Sequence, residues 1–240
     1  MYEERRYRNM FKGVNLKFFD VCVKETDLRI GADRELYKEA YDLVLKCRKD
    51  IEEYIANHRN FLESLEPIDC SSDAPEIIRR MCEAAKKAGV GPMAAVAGAV
   101  SEYVGVGLLK LCNEVIVENG GDIFMKSDVS RKVGVYAGKS ILSEKIALEI
   151  TPDKTPLGIC TSSGTVGHSL SFGKADAVVI LSKDAFLSDA VATATGNVVK
   201  DKHHIEKGIE FASSIEGVDG VLIIVGDSLG AWGDIKLVKL

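Results

Sequence analysis

Strand-forming and helix-forming segments follow one another in blocks along this chain, and that order constrains its fold more than any other feature. Two extended segments, 16–23 and 26–32, come first, a helical block follows, and extended segments return near residue 114. Strict alternation of strands and helices is typical of a parallel sheet, whereas blocks favour an antiparallel sheet with helices packed on it. The sequence therefore predicts an α+β fold with antiparallel sheets.

The helices are predicted from apolar spacing and from their end signals. Apolar residues at helical spacing run from Leu36 to His58. Asp73 and Pro75 mark the start of the next helix and Gly89 its end. Residues 93–105 are predicted to form a helix of very small side chains, and we expect another element of the fold to pack closely against it. Further strands are predicted at 114–118, 122–126, 132–137, 145–150, 156–161 and 176–182, further helices at 184–199 and 204–214, and a terminal hairpin over 220–240.

Composition excludes several classes of function. The chain has 240 residues and is 46% hydrophobic and 28% charged, as expected for a globular protein with a sizeable core. Its net charge of −5 argues against nucleic-acid binding. We find no apolar run long enough to span a membrane and no secretory signal at the N-terminus, so we expect a cytoplasmic protein.

The chain contains six cysteines, at irregular spacing and without a CxxC pair. This spacing predicts neither a zinc ribbon nor a disulfide framework, so we interpret the cysteines as reduced thiols that mostly fill the core. Cys160 differs from the others because it borders a segment rich in glycine and serine.

The segment VENGGDIF, residues 117–124, is the first candidate for a ligand site. Asn119, Gly120, Gly121 and Asp122 lie between two predicted strands. The glycines allow a ligand to approach the backbone closely, or they simply form a tight turn. The pattern alone leaves both interpretations open.

The segment CTSSGTVGHSLSFGKAD, residues 160–176, is the second. Its hydroxyls and glycines are able to present donors to phosphate oxygens, although the spacing is not that of a Walker loop. The lone histidine, His168, is either a solvent-facing residue or a general base. The candidate ligand-binding residues here are Thr161, Ser162, Ser163, Gly164 and Thr165.

The segment SDAVATATGN, residues 188–197, is the third. Asp189 and Thr193 are four residues apart and share one face of a helix. A carboxylate and a hydroxyl are hard oxygen ligands of the kind that Mg²⁺ takes. Alternatively, Thr193 bonds to a carbonyl of the preceding turn and Asp189 stabilises the start of the helix.

Together the three segments resemble motifs of ApbE-type flavin transferases, in the same order. ETDLRIGA, VGPMAAVAGAV, VENGGDI, CTSSGTVGHSLSFGKADAVV and SDAVATATGN are more similar still to a UPF branch of the ApbE-like superfamily. The resemblance covers about residues 5–238. It implies a single domain over 1–240 with a T-fold-related, two-layer architecture. Two fused subdomains, about 1–120 and 121–240, would lie around a central cleft.

Members of that superfamily bind FAD with Mg²⁺ and transfer FMN to a protein threonine or hydrolyse FAD. The resemblance implies that Asp189, Thr193 and a backbone carbonyl near Val96 hold the metal, and that His168 is the general base. The chain departs from the transferase pattern in two places: it has no lysine in the segment that matches Ala97 and Gly98, and no Asp-Pro run after His168.

Three functions remain open at this point. The first is a cytosolic enzyme that binds a phosphate-bearing ligand, with FAD or FMN as candidates, together with Mg²⁺. The second is a non-catalytic binding or sulfur-handling protein of sulfide assimilation or sulfur amino-acid metabolism, with Cys160 as its thiol. The third is a structural oligomer, such as a homodimer, with residues 93–99 at the interface.

Overall fold

The computed structural model describes residues 15–165 and 173–240. Its strands are β1 (Lys17–Val23), β2 (Thr26–Ala32), β3 (Val115–Asn119), β4 (Asp122–Lys126), β5 (Arg131–Gly134), β6 (Ile146–Ile150), β7 (Leu157–Ser162), β8 (Ala177–Ser182), β9 (Gly220–Val225), β10 (Ser228–Gly233) and β11 (Leu237–Lys239). Its helices are α1 (Tyr37–Asn57), α2 (Arg59–Glu63), α3 (Glu76–Ala88), α4 (Val96–Leu108), α5 (Ala185–Val198) and α6 (Ile205–Ser213). A 3₁₀ turn, Pro92–Ala95, leads into α4.

The strands form two sheets. The large sheet has eight strands in the order β1-β2-β3-β4-β7-β8-β9-β10, and every neighbouring pair is antiparallel. The small sheet has the order β11-β6-β5. The α+β class with antiparallel sheets and packed helices is thus confirmed.

Side-chain alternation along the large sheet separates two hydrophobic clusters. On β4, Phe124 belongs to the cluster beneath the helices, whereas Ile123 and Met125 belong to the cluster shared with the small sheet. Successive strand residues point to opposite faces, so a strand buried on both faces reads as a continuous apolar run. The helices therefore cover one face of the large sheet and the small sheet packs on the other.

The large sheet consists of two units with the same connectivity. In the first, β1 and β2 are followed by helices and then by β3 and β4; in the second, β7 and β8 are followed by α5, α6, β9 and β10. The units span 17–126 and 157–233 and meet where β4 pairs with β7. The boundary near residue 120 and a central cleft stay predictions.

Several predicted element ends are confirmed. The first hairpin turns at Lys24, which has a φ of 53°, and α3 ends at Gly89 with a left-handed φ of 73°. The prediction of one hairpin over 220–240 is wrong beyond Gly233. Gly233 has a φ of 74°, and the Asp234 N–H bonds to the carbonyl of Asp219, which turns the chain away. β11 then pairs with β6 instead.

The helices α1 to α6 lie within the described ranges of the chain. None of those helices is both long and apolar enough to span a bilayer.

Candidate functional site

Helices α4 and α5 are in close contact at Gly98, which has no side chain. A Cβ atom at Gly98 would lie 2.2 Å from the carbonyl oxygen of Ala185 and 2.8 Å from the Cβ of Asp189. The small residues of both segments therefore serve a close contact between two helices of the same chain. Ala95 and Ala99 are fully buried in this contact region, so the interior of the chain uses part of the segment that the oligomer hypothesis assigned to an interface.

The carboxylate of Asp189 lies over the first turn of α4. Its Oδ2 accepts a hydrogen bond of 2.8 Å from the N–H of Gly98, one of the N–H groups in that first turn. These first-turn N–H groups have no partner within their own helix, and the positive end of the helix dipole favours a carboxylate there. Burial nonetheless raises the pKa of Asp189 to about 7.

The turn between β3 and β4 brings a second set of polar groups to the same place. Gly120 and Gly121 have φ values of 68° and 106°, and Asn119 pairs with Asp122 across them. This two-residue hairpin needs positive φ at both central positions, which explains the glycines. Asn119 Nδ2 donates to the carbonyl of Ala97 at 3.1 Å and fixes the turn to α4. The turn and close-approach interpretations of the glycines are therefore compatible.

Asp122 is the second buried carboxylate at this point. It is 7% exposed, and its Oδ1 accepts a hydrogen bond of 3.1 Å from the Thr161 N–H. Burial first, and then the negative charge of Asp189, raises the pKa of Asp122 well above its usual range. Among the described residues, neither carboxylate forms an ion pair with a basic side chain. The structure thus brings Asn119, Asp122, Thr161 and Asp189 together.

The residues that follow β7 fold back on the chain. The Gly164 N–H donates to the carbonyl of Ala175, and the Thr165 hydroxyl donates to Asp176 at 3.0 Å. Ser163 Oγ accepts from the Thr165 N–H. These groups hold the ends of the segment together, and their role in ligand binding stays a prediction. Ser162 is half-buried at the end of β7, and His168 lies outside the described residues.

The remaining predicted site residues occupy different environments. Thr193 is half-buried one helical turn beyond Asp189, and Val96 is the first residue of α4. Cys160 is fully buried, and its Sγ contacts the carbonyl of Ala185 at 3.5 Å. Burial, with Asp122 and Asp189 nearby, raises the pKa of the Cys160 thiol well above its usual range. This thiol is neither exposed nor activated, which are the conditions for sulfur handling.

A second buried carboxylate network, which was not predicted from the sequence, lies beside the first. Glu102 of α4 is 6% exposed, and its Oε2 accepts a hydrogen bond of 2.7 Å from the Ala185 N–H at the start of α5. Arg80 donates to Glu102 Oε1 at 2.6 Å, lies 3.3 Å from Asp184 and stacks on Phe186. One feature of the sequence does indicate this network: Glu102 is the single charged residue in the otherwise uncharged α4 sequence VAGAVSEYVGVGL.

Comparison with solved structures defines the fold class. The chain is similar to the flavin transferase ApbE from Vibrio cholerae, with a TM-score of 0.62 and 12% identity over 90% of this chain and 96% of that one. It is also similar to the apo form of the Pseudomonas stutzeri flavinyl transferase ApbE, with a TM-score of 0.58 and 12% identity over 90% and 93% of the two chains. The fold is therefore ApbE-like.

Sequence comparison then gives the family. The model of the family described as "AbpE bacteria" matches residues 8–216, and the chain belongs to that family. It is 43% identical to a UPF0280 protein of Methanococcus aeolicus, over 91% of each chain. It is 41% identical to a UPF0280 protein of Methanocella arvoryzae, over 90% of this chain and 89% of that one. These relatives confirm the resemblance to a UPF branch of the ApbE-like superfamily.

The resemblance to ApbE-type flavin transferases implies Mg²⁺, and a carboxylate, a hydroxyl and a backbone carbonyl are donors of the kind that this ion takes. Within 15–165 and 173–240, no group of three or more His, Cys, Asp or Glu side chains is placed to hold a metal. A metal at Asp189 would therefore need a mixed set of carboxylate, hydroxyl and carbonyl oxygens. Mg²⁺ uses one or two carboxylates and takes its other oxygens from water or phosphate. Two buried carboxylates that form no ion pair with any described basic side chain also call for positive charge.

Proposed function

We propose that this chain binds a phosphate-bearing flavin nucleotide, with FAD as the first candidate, together with Mg²⁺. Asp189 and Thr193 would hold the metal, with a carbonyl near Val96 and with Asp122 as the neighbouring carboxylate. One observation carries the proposal: Asp122 and Asp189 are two buried carboxylates, the charge of Asp189 helps to raise the pKa of Asp122, and neither forms an ion pair with a described basic side chain.

The charge argument favours a cation over a structural role alone. Capping of α4 explains why one carboxylate lies at Gly98, because a single negative charge is stabilised there. It does not explain a second carboxylate, since two buried like charges disfavour ionisation of the pair. Bound Mg²⁺ would supply charge neutralisation for both the carboxylates and a diphosphate.

The chain's own residues would bind and orient the nucleotide. The Gly120–Gly121 turn offers backbone that a ligand approaches without meeting a side chain. Thr161 and Ser162 end β7 beside Asp122, and the segment after them carries further hydroxyls. We propose His168 as the proton acceptor. The expected chemistry is transfer or hydrolysis at the diphosphate, in a cytoplasmic setting.

Titration of FAD into metal-free protein, with and without Mg²⁺, tests the proposal. The informative variant is Asp189→Asn, because the amide oxygen still accepts from the Gly98 N–H while the charge is removed. The matched control is Asp42→Asn, an exposed carboxylate on α1. We expect Mg²⁺-dependent binding by the wild type and by the control, and at least about tenfold weaker binding by Asp189→Asn.

Each other outcome contradicts a defined part of the proposal. Equal binding by Asp189→Asn would show that the carboxylate is only a cap for α4. FAD binding that does not depend on Mg²⁺ would contradict the proposed metal site. Absence of binding of both FAD and FMN would contradict the proposed flavin ligand. Thermal unfolding of each variant shows whether a loss of binding is a loss of folding.

A further inference from the structure

A cavity between the two sheets is separate from the carboxylate cluster and from the proposed function. Its volume is about 350 Å³, at the small end of the range for ligand pockets. The start of β7, the end of β8 and the chain just before β9 and just after β10 line it. Leu157 and Leu181 of this lining belong to the cluster shared with the small sheet. The cavity therefore lies on the face of the large sheet opposite to α4 and α5.

The floor of the cavity is apolar and its rim is charged. Ile150, Leu157 and Leu181 are 3%, 2% and 2% exposed, and Ile235 packs on the same cluster. Three lysines and three carboxylates complete the lining: Lys154, Lys183, Lys236, Glu149, Asp219 and Asp234. A ligand of this cavity would therefore bury an apolar part on the floor and keep its charged groups at the rim.

Two of the six charged groups remain after the others have paired. The pairs are Lys154 with Asp234 and Lys236 with Glu149. The Lys183 ammonium donates to the carbonyl of Lys154, and within the described ranges it forms no ion pair. Among the same residues, the Asp219 carboxylate has neither an ion pair nor a hydrogen bond. The rim thus offers one positive and one negative group to a ligand.

The backbone fixes both of these groups at the rim. The Asp219 N–H donates to the carbonyl of Leu181 at 2.8 Å, and the Asp219 carbonyl accepts from the Asp234 N–H at 2.8 Å. Lys183 directly follows the last residue of β8. Asp219 is half-buried, so its carboxylate gains from an incoming cation. Because the fold already holds the two positions, a ligand would not have to order them.

We propose that this cavity binds a small zwitterion, an amino acid with an apolar frame. The ammonium of the ligand binds Asp219, its carboxylate binds Lys183, and its frame lies on the apolar floor. A ligand with a single charge would leave one of the two groups without a partner. A phosphate-bearing ligand would bring two or more negative charges to a rim that already has three carboxylates. The ligand class therefore differs from a flavin nucleotide.

Calorimetric titration with two zwitterions tests the proposal. L-Leucine and 6-aminohexanoate carry the same two charges at different separations. Each is compared with the analogues that lack one charge: 4-methylpentanoate and 3-methylbutylamine for leucine, hexanoate and pentylamine for 6-aminohexanoate. We expect one zwitterion or both to bind with one site per chain, and each analogue to bind at least about tenfold more weakly. No binding of either zwitterion, or equal binding of an analogue with a single charge, would overturn the proposal.

Two rim variants and two matched controls locate the binding. Asp219→Asn and Lys183→Gln each remove one charge of the rim, and Asp42→Asn and Lys46→Gln remove exposed charges on α1. We expect each rim variant to bind the zwitterion at least about tenfold more weakly and each control to bind it like the wild type. Wild-type affinity in either rim variant would also overturn the proposal. Thermal unfolding checks that each variant folds.

The flavin titration distinguishes this site from the proposed function. The cavity and the carboxylate cluster lie on opposite faces of the large sheet, so all four variants should titrate with FAD and Mg²⁺ as the wild type does. Loss of zwitterion binding with an unchanged flavin titration assigns the ligand to the cavity. Loss of both in a folded rim variant would contradict a separate site.

Discussion

Glu102 and Asp189 stabilise the start of each other's helix. Glu102 of α4 accepts a hydrogen bond from the Ala185 N–H, the first residue of α5, and Asp189 of α5 accepts one from the Gly98 N–H in the first turn of α4. Each helix therefore receives from its neighbour a partner for N–H groups that an isolated helix leaves unsatisfied. This reciprocal arrangement places the Asp189 carboxylate more firmly than a helix face alone would.

The close approach of the two helices predicts the effect of a methyl group at Gly98. In Gly98→Ala the new Cβ would meet backbone at 2.2 Å, which no side-chain rotation relieves. We expect a loss of about 1–3 kcal/mol in the free energy of unfolding, measured with urea.

Gly107→Ala is the matched control on the same helix, because its Cβ would meet only the flexible Leu43 side chain. The better helix propensity of alanine should offset that strain, leaving the control near neutral. Equal effects of both substitutions would contradict the packing argument.

Removal of the Glu102 charge should destabilise the chain through Arg80. Glu102→Gln keeps an oxygen for the Ala185 N–H but leaves the Arg80 guanidinium with only the partly exposed Asp184. Because Arg80 is itself 32% exposed, we expect a loss of about 1–3 kcal/mol rather than the larger cost of a fully buried pair. Urea unfolding of Glu102→Gln, Arg80→Met and the double variant measures the coupling. Strictly additive losses would show that the pair contributes no coupling energy.

Local signals in the sequence predicted the elements well. The hairpin of β1 and β2 follows from two strand-forming runs around Lys24 and Glu25, and the end of α3 follows from Gly89, because both depend on neighbouring residues. The order of strands and helices sufficed for the α+β class. Pairing between segments that are distant in the sequence could not be predicted. For example, β11 pairs with β6, which lies about ninety positions earlier in the chain.

The candidate site was predictable in its residue types but not in its connections. Asp189 was singled out by its spacing from Thr193, yet its bond to Gly98 joins residues 91 positions apart. The sequence also gave no sign that Asp122 would lie beside Asp189, because that depends on which face of β4 meets the helices. The burial of Cys160 could not be predicted for the same reason: the sulfur-handling hypothesis requires an exposed thiol, whereas the strand face that carries Cys160 is buried.

The hairpin turn at the site predicts different tolerance at its two glycines. Gly120 has a φ of 68°, in the left-handed region that asparagine also adopts, whereas Gly121 has a φ of 106°. We expect the free energy of unfolding of Gly120→Asn to lie within about 0.5 kcal/mol of the wild-type value, and that of Gly121→Ala to be lower by about 1–3 kcal/mol. Urea unfolding of the two variants checks this ranking. The reverse order would mean that side-chain contacts, and not backbone conformation, select these glycines.

The carboxylate of Glu114, just before β3, should make the stability of the chain depend on pH. Burial opposes ionisation, but hydrogen bonds from the Ser127 hydroxyl, the Asp128 N–H and Arg131 outweigh it and lower the pKa of Glu114 from 4.5 to about 2. A lowered pKa in the folded state means that the unfolded chain binds the proton more readily. The stabilisation is therefore fully present above about pH 5 and is lost as the pH falls from 4.5 towards 2.

The corresponding measurement is the free energy of unfolding of wild type and Glu114→Gln between pH 2 and pH 7. We expect the variant to be less stable by about 3 kcal/mol at neutral pH and the gap to close towards pH 2, because protonation has by then removed the same charge from the wild type. Glu39→Gln, an exposed position on α1, should follow the wild type throughout. A gap that stays constant with pH would mean that the substitution acts through packing, and that the charge of Glu114 is not what holds this network together.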